Sequence, residues 1–207
     1  MVPAQTPRPV PLGELDVLRH GRSGNERTRT PRGPIRARPP VVTMTCMAKR
    51  NYLVEGGSGT GKSSVCQELR RRGYNAVDGD NELAYQGDPE TGTPTEGDIR
   101  YEHHIWDVAK VRELAADTTN EVTFFCGGSR NLHKFLDLFD KVIVLDVDAE
   151  TLEHRLRNRG AWGGDAQQRE FILRLHATRA GVPEGTIIDT ARPLSEVVDA
   201  VLKLADS

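Results

Sequence analysis

Short apolar runs alternate with longer amphipathic segments from about residue 49 to the end of the 207-residue chain. The continuous apolar runs predict buried strands, at residues 50–55, 75–78, 122–126, 141–146 and 186–189. The segments between them predict helices, at residues 64–72, 101–116, 131–138, 149–159, 166–179 and 194–204. Strands that alternate with helices in this way are typical of a parallel sheet covered by helices. We therefore expect an α/β fold in a single domain.

Two segments depart from this pattern. Residues 1–46 are rich in proline and arginine and offer little apolar surface to offset the entropy lost on ordering. They predict a disordered extension, and we expect the folded domain to span residues 47–207. Residues 79–99 form a long polar insert rich in Gly, Pro, Thr and Asp, and inserts of this length within a domain are usually functional or mobile.

The abrupt change in composition near residue 46 also predicts that translation starts at Met44 or Met47, immediately before the first strand. N-terminal sequencing of the native protein tests this prediction, and we expect the first residue at or after Met44. A peptide from residues 1–43 in the native protein would contradict it.

Composition and charge narrow the class of protein. The net charge is −2 at pH 7, whereas general nucleic-acid binders usually carry a basic excess. No apolar run approaches the roughly 18 residues that a membrane-spanning helix needs. The cysteines, Cys46, Cys66 and Cys126, are widely spaced and predict reduced thiols, not a disulfide framework or a zinc site. We therefore expect a cytoplasmic protein without nucleic-acid or membrane partners.

The segment between the first strand and the first helix contains the pattern G-x-x-x-x-G-K-[ST], from Gly56 to Ser63. A strand, a glycine-rich loop and a helix in this order are the context of a phosphate-binding loop. The glycines allow a tight turn that points N–H groups into one concavity, and the helix N-terminus adds partial positive charge. Lys62 is expected to reach the β- and γ-phosphates, and the Ser63 hydroxyl to bind Mg²⁺. The residues expected to bind the nucleotide are Gly56, Gly57, Ser58, Gly59, Thr60, Gly61, Lys62, Ser63 and Ser64.

Other candidate residues follow the predicted strands, because ligands in open α/β sheets gather at the carboxyl ends of the strands. Asp78 and Asp80 flank a glycine after the second strand. A carboxylate there is suited to support Mg²⁺ or to accept a proton from a substrate hydroxyl. Asp80 is the preferred candidate because it lies further from the sheet, and Asp78 then braces the loop. An ordinary Asp-Gly turn is the alternative explanation.

Arg130 follows a double glycine after the third strand and is a candidate for holding an anionic group. A surface arginine beside the next helix is an equally good explanation. In the predicted helix 101–116, His103 and Trp106 are expected either to line a substrate cleft under the polar insert or to lie on the surface. His104 falls on the apolar stripe of that helix and is expected in the core.

Arg155 and Arg159 lie four residues apart and share one face of a predicted helix. Arginines that close over the γ-phosphate stabilise the charge that develops during phosphoryl transfer. The glycine-rich segment 160–164 beside them is suited to the movement of a lid. A solvated basic helix end, favourable to the helix dipole, is the alternative explanation.

These motifs together resemble those of the small P-loop kinases, a group that includes shikimate kinase, gluconate kinase, adenylylsulfate kinase and adenylate kinase-like enzymes. The resemblance rests on residues 56–63, 78–80, 155–159 and 189–193, and it covers about residues 49–205. It implies a five-stranded parallel sheet in the order 2-3-1-4-5, with ATP and Mg²⁺ as the phosphoryl donor.

The resemblance also implies roles for particular residues. Asp80 matches the second Asp of a D-x-D element near the metal and the acceptor hydroxyl. Arg159 matches the lid arginine, with Arg155 one turn before it. Arg192 lies in a turn that is similar to the loop beside the adenine. The segment 82–92 matches none of the named enzymes and leaves the acceptor open.

The sequence therefore predicts an ATP-dependent kinase that acts on a hydroxyl of a small metabolite or nucleoside. The predicted catalytic residues are Lys62, Asp80, Arg155 and Arg159, and the predicted acceptor site consists of Asp80, Arg130 and His103. Two other functions fit a phosphate-binding loop: a regulatory ATPase that acts on a protein partner, and a hydrolase whose acceptor is water. The choice between ATP and GTP and the oligomeric state stay open at this point.

Overall fold

A five-stranded parallel sheet carries the fold. The computed structural model describes residues 49–158 and 165–207. Its strands are β1 (Arg50–Gly56), β2 (Asn75–Asp78), β3 (Ala84–Gln86), β4 (His104–Trp106), β5 (Val122–Cys126), β6 (Lys141–Asp146) and β7 (Thr186–Asp189). The large sheet has the order β2-β5-β1-β6-β7, and β3 and β4 pair as a separate antiparallel hairpin.

The strand numbers of the large sheet differ from the expected order only because β3 and β4, which form the hairpin, are included in the numbering. Counted within the large sheet alone, the strands follow the order 2-3-1-4-5, and the expected α/β fold class is confirmed. β1 lies between β5 and β6 in parallel register, with Val54 opposite Cys126 on one side and Ile143 on the other. The carboxyl ends of these parallel strands therefore meet at one edge of the sheet.

Six α-helices accompany the sheet in the described residues: α1 (Lys62–Arg71), α2 (Gly79–Glu82), α3 (Val108–Ala116), α4 (Ala149–Arg157), α5 (Ala166–Thr178) and α6 (Leu194–Ala205). An aspartate caps α3, α4 and α5 by accepting a backbone N–H of the first turn, and these aspartates are Asp107, Asp148 and Asp165. Among the helices described, none has the length and apolar character needed to cross a bilayer.

Neighbouring residues of the central strands face opposite sides of the sheet, and both sides are buried. In β1, Tyr52 and Val54 pack in a cluster with α1 and α6, whereas Leu53 packs on the other side with α3. In β5, Phe124 and Phe125 divide in the same way. All five side chains are at most 1% exposed. This burial explains why the strands are continuous apolar runs in the sequence.

The prediction of one helix over residues 101–116 is wrong in its first half. α3 covers only the second half, and residues 104–106 form β4, which pairs with β3. The reason is tertiary, since Ile105 and Trp106 are fully buried and Trp106 stacks on Phe135 with ring centroids 5.7 Å apart. Burial of two adjacent side chains favours a short strand over the helix that the local spacing predicts.

Other expectations for the same region change as well. Trp106, expected in a cleft or on the surface, lies in the core, whereas His104, expected in the core, is half-buried and contacts a carboxylate. The polar insert 79–99 is partly regular, because it contains α2 and β3. The helix predicted at residues 131–138 consists of two 3₁₀ turns, Leu132–Lys134 and Leu136–Leu138. The predicted extension 1–46 lies outside the described residues.

The contact between α2 and Trp106 leads to a steric prediction. A Cβ on Gly79 would collide with the six-membered ring of Trp106, whose side chain is fully buried. We expect Gly79→Ala to lower the free energy of unfolding by about 1–3 kcal/mol, the usual cost of overpacking a core. Trp106→Leu removes the ring, so the double variant should be more stable than the two single effects predict, by about 1 kcal/mol or more. Additive effects in denaturant titrations would show that the collision is not the cause.

Candidate functional site

The loop between β1 and α1 is closed by its own side chains. Thr60 is fully buried, and its hydroxyl donates a hydrogen bond to the carbonyl oxygen of Gly57 at 2.9 Å. Gly56 has no room for a side chain, because a Cβ there would lie 2.7 Å from the Thr60 hydroxyl. Gly61 caps α1 with a φ of 110°, a conformation that favours glycine. The turn itself therefore requires glycine at these two positions.

Lys62 lies across the mouth of this loop. Its Nζ donates to the carbonyl oxygens of Gly56 at 2.7 Å and Gly57 at 3.2 Å. The ammonium group is thus held where the phosphates of a nucleotide would approach the N-terminus of α1. Ser63 and Ser64 are exposed in the first turn of that helix. This geometry is the one expected of a phosphate-binding loop, and the contact of each loop residue with a nucleotide stays a prediction.

Asp80 lies at the carboxyl edge of the sheet, in α2. Its Oδ1 accepts the backbone N–H of Gly128 at 3.1 Å and lies 3.2 Å from Nε2 of His104. Burial favours the neutral carboxyl, but the hydrogen bonds of His104 and Gly128, with the charge of Lys62, outweigh burial and lower the pKa of Asp80. The site therefore holds an ionised carboxylate near neutral pH, within reach of the charge of the loop lysine.

The metal expected at this site fits the available donors. Mg²⁺ prefers oxygen ligands, and it usually takes one or two from carboxylates of the protein and others from phosphates and water. The Ser63 hydroxyl and the Asp80 carboxylate are oxygens of this kind. The described residues contain no group of three or more His, Cys, Asp or Glu side chains suited to a metal. Asp78, the other candidate carboxylate, accepts a hydrogen bond from the side chain of Asn81 at 2.9 Å.

Glu55 is a further site residue, which the motifs did not indicate. It is the penultimate residue of β1, it is only 2% exposed, and its Oε2 has no hydrogen-bond partner in the described part of the chain. Burial raises the pKa of Glu55, against the opposing charges of Lys62 and Arg130. The one signal in the sequence is an acid at the end of an otherwise apolar strand, since carboxylates are rarely buried unless paired.

The Gly127–Gly128 turn after β5 contacts both carboxylates. A Cβ on Gly128 would lie 2.7 Å from Oε1 of Glu55, and a Cβ on Gly127 would lie 2.7 Å from Oδ1 of Asp80. The double glycine is therefore needed because a carboxylate oxygen approaches the backbone closely at each position.

Arg130 is half-buried, and its guanidinium group faces the site. Its Nη1 donates to the hydroxyl of Tyr101 at 2.7 Å, and its Cζ lies 4.4 Å from the centre of the Tyr101 ring. Its Nε is buried without a hydrogen-bond partner among the described residues, and its charge acts on Glu55. This placement fits a role in the site better than the alternative of a surface arginine.

Tyr101 lines two openings, one of which lies beside the phosphate loop. A cavity of about 40 Å³ lies between the loop and α5, and its polar lining residues include Ser58, Asp146, His176 and Arg179. Within it, Nη1 of Arg179 donates to Oδ2 of Asp146 at 2.9 Å. A wider groove of about 340 Å³ is lined by Arg100, Tyr101, Glu102, Gln167, Gln168 and Phe171.

Arg155 braces the phosphate loop. Its Nη1 and Nη2 donate to Oγ1 and the carbonyl oxygen of Thr190, at 3.0 and 2.5 Å, and Nη1 also lies 3.4 Å from the carbonyl oxygen of Thr60. The guanidinium group is therefore engaged with the loop and with the turn after β7. A contact with the γ-phosphate, as the sequence predicts, would require these bonds to be exchanged.

The remaining predicted site residues are placed elsewhere. Nδ1 of His103 lies 3.3 Å from Oγ1 of Thr95, in the polar insert. Arg192 is exposed in the turn after β7. Arg159 and the glycine-rich segment 160–164 lie outside the described residues. The predicted residues that the structure brings together are Lys62, Asp80 and Arg130.

The fold and this loop define a P-loop nucleotide-binding protein. A family model described as "AAA domain" matches residues 53–171, which is more than half of the chain, and the chain belongs to that family. No curated protein matches the chain in sequence.

Solved structures of kinases are among those that are similar in fold. An unliganded sugar kinase from Janibacter sp. HTCC2649 is 18% identical, and the match covers 76% of this chain and 95% of that chain with a TM-score of 0.50. Shikimate kinase from Acinetobacter baumannii, in complex with shikimate, is also 18% identical, over 77% of this chain and 94% of that chain, with a TM-score of 0.50. At this identity the similarity shows the fold alone, and the resemblance to the small P-loop kinases is confirmed at that level.

The buried Glu55 implies a pH dependence of stability. Because its pKa is higher in the folded protein than in an unfolded chain, the folded state binds more protons between the two values, and stability falls as pH rises through that range. One such proton gives a slope of at most about 1.4 kcal/mol per pH unit. We expect Glu55→Gln to remove this slope in denaturant titrations at successive pH values, and Glu113→Gln, at an exposed position, to keep it. Equal slopes in the two variants would contradict the prediction.

Proposed function

We propose that this protein is an ATP-dependent kinase that transfers the γ-phosphoryl group to a hydroxyl of a small metabolite or nucleoside in the cytoplasm. The placement of Asp80 supports this most strongly, because an ionised carboxylate lies within reach of the charge of Lys62 at the phosphate loop. Transfer to a hydroxyl needs a group that takes the proton of that hydroxyl, and an ionised carboxylate at this position is suited to do so. The free thiols of Cys66 and Cys126 fit a reducing compartment.

In this reaction, tasks are assigned to Lys62, Ser63, Asp80 and Arg159. Lys62 moves from the loop carbonyl oxygens to the β- and γ-phosphates and balances their charge. Asp80 accepts the proton of the acceptor hydroxyl, the acceptor oxygen bonds to the γ-phosphorus, and the bond from that phosphorus to ADP breaks. Mg²⁺, which Ser63 and Asp80 would hold, supplies further positive charge at the phosphates. Arg159 is assigned to the developing charge on the strength of the resemblance.

The openings beside Tyr101 support a small molecule as the acceptor. The groove, of about 340 Å³, is of the size that small-molecule sites usually have. Its walls combine the aromatic rings of Tyr101 and Phe171 with polar side chains. The Tyr101 hydroxyl accepts a hydrogen bond from Arg130, whose charge acts on Glu55. We infer that the acceptor reaches Asp80 from this side.

A screen of hydroxyl-bearing metabolites and nucleosides with ATP and Mg²⁺ tests the proposal. ADP release and a mass gain of one phosphoryl group are the readouts, and we expect both for at least one compound. With that compound, Lys62→Ala should lower kcat at least about 100-fold, because the charge at the transferring phosphoryl is no longer balanced. Lys203→Ala, at an exposed position of α6, is the matched control and should leave kcat unchanged.

Two outcomes of this screen would count against a kinase. ADP release without any phosphorylated product would favour a hydrolase or a regulatory ATPase. Full activity of Lys62→Ala would show that the phosphate loop is not the working site.

A further inference from the structure

One oxygen of the Asp80 carboxylate is held from two different elements. The backbone N–H of Gly128, in the turn after β5, donates to Oδ1 at 3.1 Å. Nε2 of His104, at the start of β4, lies 3.2 Å from the same oxygen. In the described part of the chain, Oδ2 makes no hydrogen bond. The carboxylate thus has one oxygen that is anchored and one that is available.

The backbone of α2 is poorly suited to fix this side chain by itself. The helix has four residues, and a helix of this length has little stability of its own. The backbone of His104, in contrast, is held on two sides. It pairs with Gln86 in the β3–β4 hairpin, and its carbonyl oxygen accepts the N–H of Arg130 at 2.9 Å.

His104 and Gly128, which hold Asp80, lie in segments that are connected to each other by a hydrogen bond. Trp106, two residues after His104, donates its backbone N–H to Oγ of Ser129 at 3.0 Å. Ser129 directly follows Gly128, so β4 is bonded to the same turn that supplies the other donor. His104 and Gly128 are therefore fixed relative to one another, and together they define where Oδ1 lies.

We propose that His104 is a positioning residue for phosphoryl transfer, whose imidazole fixes the Asp80 carboxylate so that Oδ2 is presented to the acceptor hydroxyl. The proposal rests on the proposed kinase function. The imidazole donates its Nε2–H to Oδ1, and with the Gly128 N–H it stops rotation of the carboxylate about its last side-chain bond. A base that is held in the productive orientation raises the rate of phosphoryl transfer, even though the residue that positions it never contacts the substrate.

Kinetics of three variants test this proposal. His104→Ala removes the donor, His104→Gln keeps a donor at a similar reach, and His133→Ala removes an exposed histidine that lies 3.9 Å from Glu90. With the acceptor found in the screen, we expect His104→Ala to lower kcat about 10- to 100-fold with KM for ATP unchanged. His104→Gln should recover most of the loss, and His133→Ala should match the wild type. An equal loss in the Ala and Gln variants at position 104, or no loss in either, would overturn the proposal.

Hydrogen exchange supplies a readout that does not depend on catalysis. The Gly128 amide shares Oδ1 with His104, so a carboxylate freed by His104→Ala leaves that amide without a fixed acceptor. We expect its exchange to accelerate about tenfold or more relative to the core amides of β1, and to stay slow in His104→Gln. Unchanged exchange in His104→Ala would overturn the proposal. Accelerated exchange in a protein that phosphorylates no acceptor would establish the contact and refute the kinase function instead.

Discussion

Close approach of side chains to the backbone at four glycines shapes the carboxyl edge of the sheet. The Thr60 hydroxyl lies close to Gly56, and the ring of a buried tryptophan lies close to Gly79, in the space that a Cβ would occupy. One carboxylate oxygen likewise lies close to Gly127, and another to Gly128. A Cβ at any of these positions would push the neighbouring group away. The same steric requirement therefore applies to the closed loop, to the packing of α2 and to the positions of both carboxylates. Glycine is thus needed for contact here as much as for conformational freedom.

The two carboxylates of the site show that burial alone does not decide a charge state. Both are partly or wholly buried, and the charge of Lys62 acts on both. Asp80 also accepts hydrogen bonds from a histidine and a backbone amide, and its pKa falls. Glu55 keeps one oxygen without a partner in the described residues, and its pKa rises. The pKa values of two neighbouring acids thus shift in opposite directions, because hydrogen bonds and nearby positive charge outweigh burial at Asp80 but not at Glu55.

The sequence allows the parallel sheet to be predicted because both faces of its central strands are buried, which leaves continuous apolar runs. The phosphate loop is equally local, since residues 56–63 contain its whole pattern. The β3–β4 hairpin could not be predicted, because its three-residue strands depend on the burial of Trp106 and on a bond to Ser129. The same holds for Arg155, whose partner Thr190 is 35 residues further along the chain. Spacing along a sequence indicates which face a residue occupies, but not which distant group it meets there.

The central position of β1 has a consequence for the order in which the protein folds. β1 is the first of the described strands to be synthesised, but its two neighbours, β5 and β6, begin about 70 and 90 residues later. Both pairings have to close long stretches of chain, and such non-local contacts form slowly. The strand that leads into the phosphate loop therefore has no partner in the sheet until Val122–Cys126 has left the ribosome. A nascent chain that stops before this point exposes an unpaired apolar strand, and such a chain is prone to aggregate.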